Sequence, residues 1–551
     1  MTEIHPFNLI AEAWLPVRRR SGACSLVRPS QIVEGPEDDP VIDFAWPRAD
    51  FRIASFEFLI GLVATAYPPA DRRAWPKDWR KPPTVDMLDK AFARIAAAFW
   101  LDGPGPRFLQ DHEDLATGPE PVERLLIEAP GESTIKRNAD LFVHRDQVAR
   151  LGRGAAAMAL FTLQSWAPSG GAGNMTGLRG GGPLTTLVMP STEASLWQVI
   201  WANVPCGRAV ADADLSRVFP WLAPTIISGK GGAEVRMDHN AHPLQCWWGM
   251  PRRIRLEFEN MPDGVCDLTG QADTVMVTGW RQRPYGPKYA GWIGQPYAAD
   301  GLIHPLTPRY RQKEGAEWLA VHPQPGGIGY RHWTGVVVDS TDANRLPASC
   351  VTTWRNARAR LAGSAAHPRL LAAGFDMDNM KARGFVESAM PLPGTPDEDR
   401  QHEFDDFARQ CVGAATQVAD LLRASVREAL FGKGSVSVDA TLIANVRERF
   451  WLETETPFFD QLRKAVLAGD ELLALKKAWL QTLKQAALRE FDAMVVLEPD
   501  MDVKEAQRSA LARMGLLGAV SGTNAAGKKI MQVLELPVPV TIKQKKAGEV
   551  S

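Results

Sequence analysis

The 551-residue chain has no excess of either charge: 63 lysines and arginines face 64 aspartates and glutamates, a net charge of −1. A protein that coats nucleic acid on its own is usually basic, so a nucleic-acid role here must rest on local patches or on a larger assembly. Cysteine is scarce and scattered. Cys24, Cys206, Cys246, Cys266, Cys350 and Cys411 form no CxxC pair, which argues against a disulfide framework and for a reducing compartment. No apolar run reaches the roughly 18 residues of a membrane span, and Glu12 and Pro16 interrupt the apolar stretch near the N-terminus that a signal peptide would need. The expectation is a soluble, cytoplasmic protein with no membrane partner.

Catalytic signatures are missing too. Neither GxSxG nor HExxH occurs. Gly171-Ala172-Gly173 begins a dinucleotide motif, but its third glycine falls at Gly177, one position late. Gly522 to Lys529 nearly spells a Walker A loop, with Lys529 where the Mg²⁺-binding hydroxyl belongs. His239, His242 and Cys246 offer zinc-ligand types without a fourth ligand. The pairs Asp111/His112 and Asp376/Asp378 leave open an alternative, a metal-dependent enzyme acting on nucleic acid. The leading expectation is a non-enzyme with no cofactor and no metal; a purely structural scaffold is a third reading.

What is present is a full globular composition, 45% hydrophobic, with 18 tryptophans to pack. Residues 1–394 mix alternating runs, such as 252–258 and 274–278, with helical patches at 54–67 and 85–100. After Pro391-Leu392-Pro393-Gly394 the period changes. Phe404, Phe407, Cys411, Ala414, Val418, Leu421 and Ser425 form one apolar stripe. Further helices are predicted over 439–452, stopping before Pro457, over 470–494, and over 502–517 with Asp502 as cap. The fold class is therefore α+β: a large mixed domain over 1–394, an antiparallel four-helix bundle over 395–530, and a tail over 531–551.

One stretch is unusual. Residues 167–183, APSGGAGNMTGLRGGGP, hold seven glycines in seventeen positions. Such a loop permits close approach of a ligand to the backbone. Basic and aromatic residues interleave at 136–145 and at 354–360, and Arg281, Arg283, Lys288, Arg309 and Arg311 flank proline–glycine loops. Cations can contact phosphates while small loops reach base edges.

Several segments, in order, carry a family resemblance: 8–17 (NLIAEAWLPV), 141–144 (LFVH), the glycine loop with 177–181 (GLRGG), 248–254 (WGMPRRI), 283–286 (RPYG), 304–306 (HPL) and 374–383 (GFDMDNMKAR). Together they resemble the CasA family, the large subunit of the type I-E CRISPR surveillance complex Cascade. The resemblance implies a non-catalytic subunit that recognises the protospacer-adjacent motif in double-stranded target DNA, promotes strand opening and R-loop formation, and recruits a helicase–nuclease. Its partners would be target DNA, the guide-RNA complex with the other Cascade subunits, and that effector; guide pairing would read the rest of the target.

The resemblance also implies the site. The motif-reading loop maps onto Ser169, Gly170, Gly171, Ala172, Gly173 and Asn174, where bare backbone can enter the minor groove. A second contacting loop comprises Lys136, Arg137, Asn138, Phe142, Val143 and His144. The wedge that some members drive into the duplex maps onto Thr353, Trp354 and Arg355, with Trp354 or a neighbour substituting for the short Thr353. A lysine finger used by some members is replaced here by Val265.

Overall fold

The computed structural model describes residues 5–138, 145–166, 168, 173–229, 231–237, 239–292, 304–340, 342–363, 367–378, 381–395, 397–432, 440–467, 471–496 and 502–539. They form two compact units, one of residues 1–328 and 342–392, the other of 329–341 and 393–551. Mixed helix and sheet with a helical C-terminal region is the expected fold class. The unit boundaries differ from a single cut at 394, because residues 329–341 leave the mixed part of the sequence and join the helices.

The first unit is organised around the helix Ala49–Ala66. Its sequence is apolar on every side, and nearly all of it is buried, as expected for a helix enclosed by its own domain. Phe58 lies at the hub. Its ring meets Trp14, Phe99, Phe108, Phe161 and Trp248 edge-on, with centroids 5.5–6.1 Å apart. Such edge-to-face contacts suit the ring quadrupoles and use the aromatic richness read from the sequence.

Two sheets matter for the site. In one, Arg369–Asp378 pairs antiparallel with both Lys381–Pro391 and Thr185–Met189. In the other, Arg253–Asn260 and Val275–Arg283 form an antiparallel ribbon, with Arg253 opposite Arg283. The ribbon is extended by Glu120–Pro121 against Gly279–Trp280 and by Leu151–Gly152 against Met276–Val277. The helix Arg153–Trp166 starts directly after Gly152 and leads to the glycine loop.

The second unit contains the helices Gln401–Phe431, Ala440–Leu467, Leu472–Met494 and Val503–Val520, then a short one, Ala525–Val533. Arg449 with Glu490, Asp492 with Arg513 and Lys484 with Ser521 mark antiparallel neighbours. The apolar stripe drifts: burial passes from Val418 to Leu422, Val426 and Ala429 rather than to Leu421 and Ser425. A straight helix of 3.6 residues per turn outruns a strict 3.5 repeat. Asp502 caps its helix as expected, accepting from Lys504 N.

The second helix corrects its predicted stop, since it runs through Pro457. A helix-interior proline costs about 3 kcal/mol or more. The offset is aromatic packing by residues 329–341: Tyr330 stacks on Phe458 at 4.5 Å, and Trp333 meets Phe458 and Phe459, each at 5.8 Å. The near-Walker sequence is a helix start, with Asn524 Oδ1 accepting from Gly527 N at 2.9 Å. Among the described residues no helix is long and apolar enough to cross a membrane.

Candidate nucleic-acid interface

The glycine loop leaves the end of helix 153–166 and returns toward strand 185–189. Ser169, Gly170, Gly171 and Ala172 lie outside the described residues, so the site is built from what holds them. On the entry side, Gln164 exchanges two hydrogen bonds with the backbone of Arg252, at 2.9 and 3.0 Å. The Arg252 guanidinium donates to the Pro168 carbonyl at 2.5 Å. Burial lowers the Arg252 pKa to about 10, so the group stays charged at neutral pH. On the exit side, Tyr285 N donates to the Gly173 carbonyl at 2.9 Å. Arg252 immediately precedes one ribbon strand and Tyr285 follows the other closely, so the loop is anchored at one end of the ribbon.

This geometry reassigns part of the glycine richness. Gly173 has φ +83°, and a Cβ there would lie 2.9 Å from the Tyr285 ring. A Cβ on Gly181 would lie 2.6 Å from Pro168 Cα. At these two positions glycine lets the chain approach itself. Asn174 is half-buried beside them.

A buried charge cluster lies beneath the loop. Glu57, on helix 49–66, is 1% exposed. Its Oε1 accepts from Arg179 Nη2 at 2.6 Å, and its Oε2 accepts from Trp166 Nε1 at 3.3 Å. Arg179 also donates to Thr307 Oγ1 at 3.0 Å and Thr185 Oγ1 at 3.3 Å. His304 Nε2 lies 3.4 Å from Glu57 Oε1. Burial alone would raise the Glu57 pKa, but Arg179 and His304 hold it at about 2. Burial, reinforced by the Arg179 charge, pushes the His304 imidazole down to about 4, so the ring is neutral at neutral pH. Sequence reasoning missed Glu57; its signal is a single acid in the apolar run Phe56-Glu57-Phe58-Leu59-Ile60.

The second predicted loop is closed in a similar way. Lys136 ends the short helix Glu132–Lys136, and Lys136, Arg137 and Asn138 are exposed. Phe142, Val143 and His144 lie outside the described residues. Arg145 donates to Asn138 Oδ1 at 3.1 Å, and Asp146 N donates to Glu123 at 3.2 Å. The segment 120–125 rests on the ribbon at Gly279–Trp280, so both loops are tethered to the same pair of strands.

The wedge region is placed differently. Thr353 lies inside a continuous helical run made of Ser349–Thr353, Trp354–Arg358 and Ala359–Ala362 and is half-buried, while Trp354 and Arg355 are 1% and 5% exposed. Trp354 packs edge-on against Trp79 at 5.8 Å. The nearby Arg358, also buried, donates to the carbonyls of Ala202 and Val204 at the end of helix Leu196–Asn203 and lies over Trp75 at 5.2 Å. This corrects the reading of 354–360 as an exposed basic–aromatic patch. Trp354, Arg355 and Arg358 are core parts.

Two carboxylates of the enzyme alternative, Asp111 and Asp376, are engaged by arginines. Asp111 is fully buried and pairs with Arg253 at 2.6 Å; Asp376 is bidentate with Arg383 at 2.8 and 3.0 Å. His242 Nδ1 accepts from Leu244 N, and Cys246 is buried with its thiol pKa pushed up. No group of three or more potential metal ligands occurs among the described residues.

The family model of CRISPR-associated protein Cse1 matches residues 8–489. The chain belongs to the Cse1, or CasA, family. The family is thus the one that the sequence resembles. Three solved structures share the fold. The crystal structure of Cse1 from Acidimicrobium ferrooxidans is 17% identical, with a TM-score of 0.66, covering 98% of this chain and 100% of that one. CasA from Thermus thermophilus is 17% identical, with a TM-score of 0.64 and coverage of 93% and 100%. A structure described as a CRISPR RNA-guided surveillance complex matches at 15% identity and TM-score 0.66, covering 93% and 99%.

Proposed function

We propose that the chain is the non-catalytic large subunit of an RNA-guided CRISPR surveillance complex, and that its 169–172 loop reads the protospacer-adjacent motif in duplex DNA. In this reading the subunit promotes strand opening and R-loop formation and then recruits the helicase–nuclease. The observation that carries it is a short, small-residue loop gripped at both ends by a two-stranded ribbon. Exposed Arg283 and the half-exposed ring of Tyr285 stand at its margin. Arginine there can take phosphate while the loop backbone meets the groove edge. The near-neutral chain relies on the assembled complex for the rest of its affinity, so alone it binds DNA weakly and in a strongly salt-dependent way.

The test is target binding by the guide-RNA complex, with and without this chain, across a library of flanking trinucleotides. Flank-dependent tight binding is expected only with the chain present. Gly171→Asp and Ala172→Asp should each reduce it by about 10- to 100-fold, the range of one lost specific contact. Unchanged flank dependence in both variants defeats the loop assignment and favours the scaffold reading.

A further inference from the structure

The glycine loop has a mechanical base that its own sequence does not contain. Trp166, the last residue before the loop, and Arg179, seven residues past Ala172, both bond one carboxylate on a different helix. We propose that Glu57 is a positioning residue: by joining Trp166 to Arg179 it sets the separation of the two residues that flank the motif-reading stretch, and through it the flank preference of the complex. The inference rests on the motif-reading function proposed above.

Three observations support it. First, the two oxygens divide their work: Oε1 takes Arg179 on the return side, and Oε2 takes Trp166 on the entry side. Second, the remaining contacts orient the same groups. Thr185 and Thr307 hold the other Arg179 nitrogen. His304 Nδ1 accepts from Leu306 N at 3.4 Å, and its Nε2 lies 3.4 Å from Glu57 Oε1. Third, a buried ion pair is a poor device for stability alone, because apolar residues of similar volume commonly do as well or better. Its worth here is geometric. The chain also closes the base once through the backbone, Gly182 N to Trp166 O at 2.8 Å, and Arg179 adds the side-chain tie from this turn to Glu57.

The experiment compares three variants of the full chain assembled in the guide-RNA complex. Glu57→Met/Arg179→Met removes both charges at similar volume, so the fold is kept without an orphaned ion. Glu57→Gln leaves Arg179 buried and unpaired. Gly171→Asp alters the tip and leaves the base intact. The readouts are amide hydrogen exchange over 168–182, with helix 401–431 as internal reference, and flank-dependent DNA affinity.

The double variant should exchange at least about tenfold faster over 168–182, with the reference helix unchanged, and should lose flank preference more than overall affinity. Unchanged exchange over 168–182 overturns the proposal. Faster exchange with intact flank preference also overturns it, provided Gly171→Asp abolishes that preference. If Gly171→Asp has no effect either, the motif-reading function itself falls and the positioning role falls with it. A structural role alone would lower affinity for all flanks equally; a selective loss of preference distinguishes positioning from it.

Discussion

Two stretches of this chain read alike in sequence. Residues 167–183 and 354–360 each combine arginine, tryptophan nearby and small residues, and each suggests contact with nucleic acid. The fold treats them oppositely. The first is held at its two ends, by Arg252 and by Tyr285. The second is folded inward, its arginine bonded to helix-end carbonyls and its tryptophan against another ring. An arginine marks a ligand site only when the domain does not already supply its acceptors. Helix 196–203 ends with unsatisfied carbonyls, as every helix does, and Arg358 satisfies them.

The contrast can be broken most forcefully at Trp354. Trp354→Ala should cost about 3–5 kcal/mol in denaturant unfolding, as for other large core truncations, and should weaken all DNA binding only in proportion to lost folded protein. A selective effect on flank preference with intact stability would put Trp354 back at the interface. Glu57→Gln should cost a similar amount, about 3–5 kcal/mol, since it leaves a buried guanidinium without its counter-charge; calorimetric unfolding measures it.

A smaller effect is expected at Gly173. Gly173→Ala forces a Cβ toward Tyr285 at a positive φ and should cost about 1–2 kcal/mol. Tyr285→Ala in the same chain should recover the steric part but not the backbone part. The His304 cluster gives a pH signature. The folded ring takes its proton near 4, whereas an ordinary imidazole does so near 6.5, so the unfolded chain binds more protons between these values. The stability contributed is full above about 6.5 and is lost as pH falls toward 4. Thermal midpoints against pH should show this slope, and His304→Asn should flatten it. The smallest effect belongs to Thr353. Half-buried within the continuous helical run 349–362 rather than at a hairpin tip, Thr353→Gln should change stability by less than about 0.5 kcal/mol and leave strand opening, read by a fluorescent base beside the motif, at the parent rate.

Periodicity made the helical region legible. The stripe from Phe404, the break near 394 and the Asp502 cap all depend on neighbours within a turn or two. What escaped depends on distance along the chain. Pro457 is a correct local stop signal, overridden by Tyr330 and Trp333 from more than a hundred residues earlier. The burial of Trp354 escapes the sequence because Trp79 and helix 196–203, which pack against its segment, are far away along the chain. The glycine-rich stretch stands out in composition, but the carboxylate joining its flanks does not: Glu57 precedes Arg179 by 122 residues. Glycine count alone does not single out Gly173 and Gly181, which admit the protein's own chain.

The excursion of residues 329–341 has a consequence for how such a protein can be divided or inherited. The chain passes between its two units three times, near 328, 341 and 392. The C-terminal helices are therefore not a cassette that recombination or a protease could detach at one point. A fragment beginning at 393 would lack Tyr330 and Trp333, the rings that accommodate the helix around its proline, and would expose Phe458 and Phe459 in their place. Gain or loss of the helical unit must carry a thirteen-residue insertion elsewhere in the reading frame, which ties the two units to a shared history.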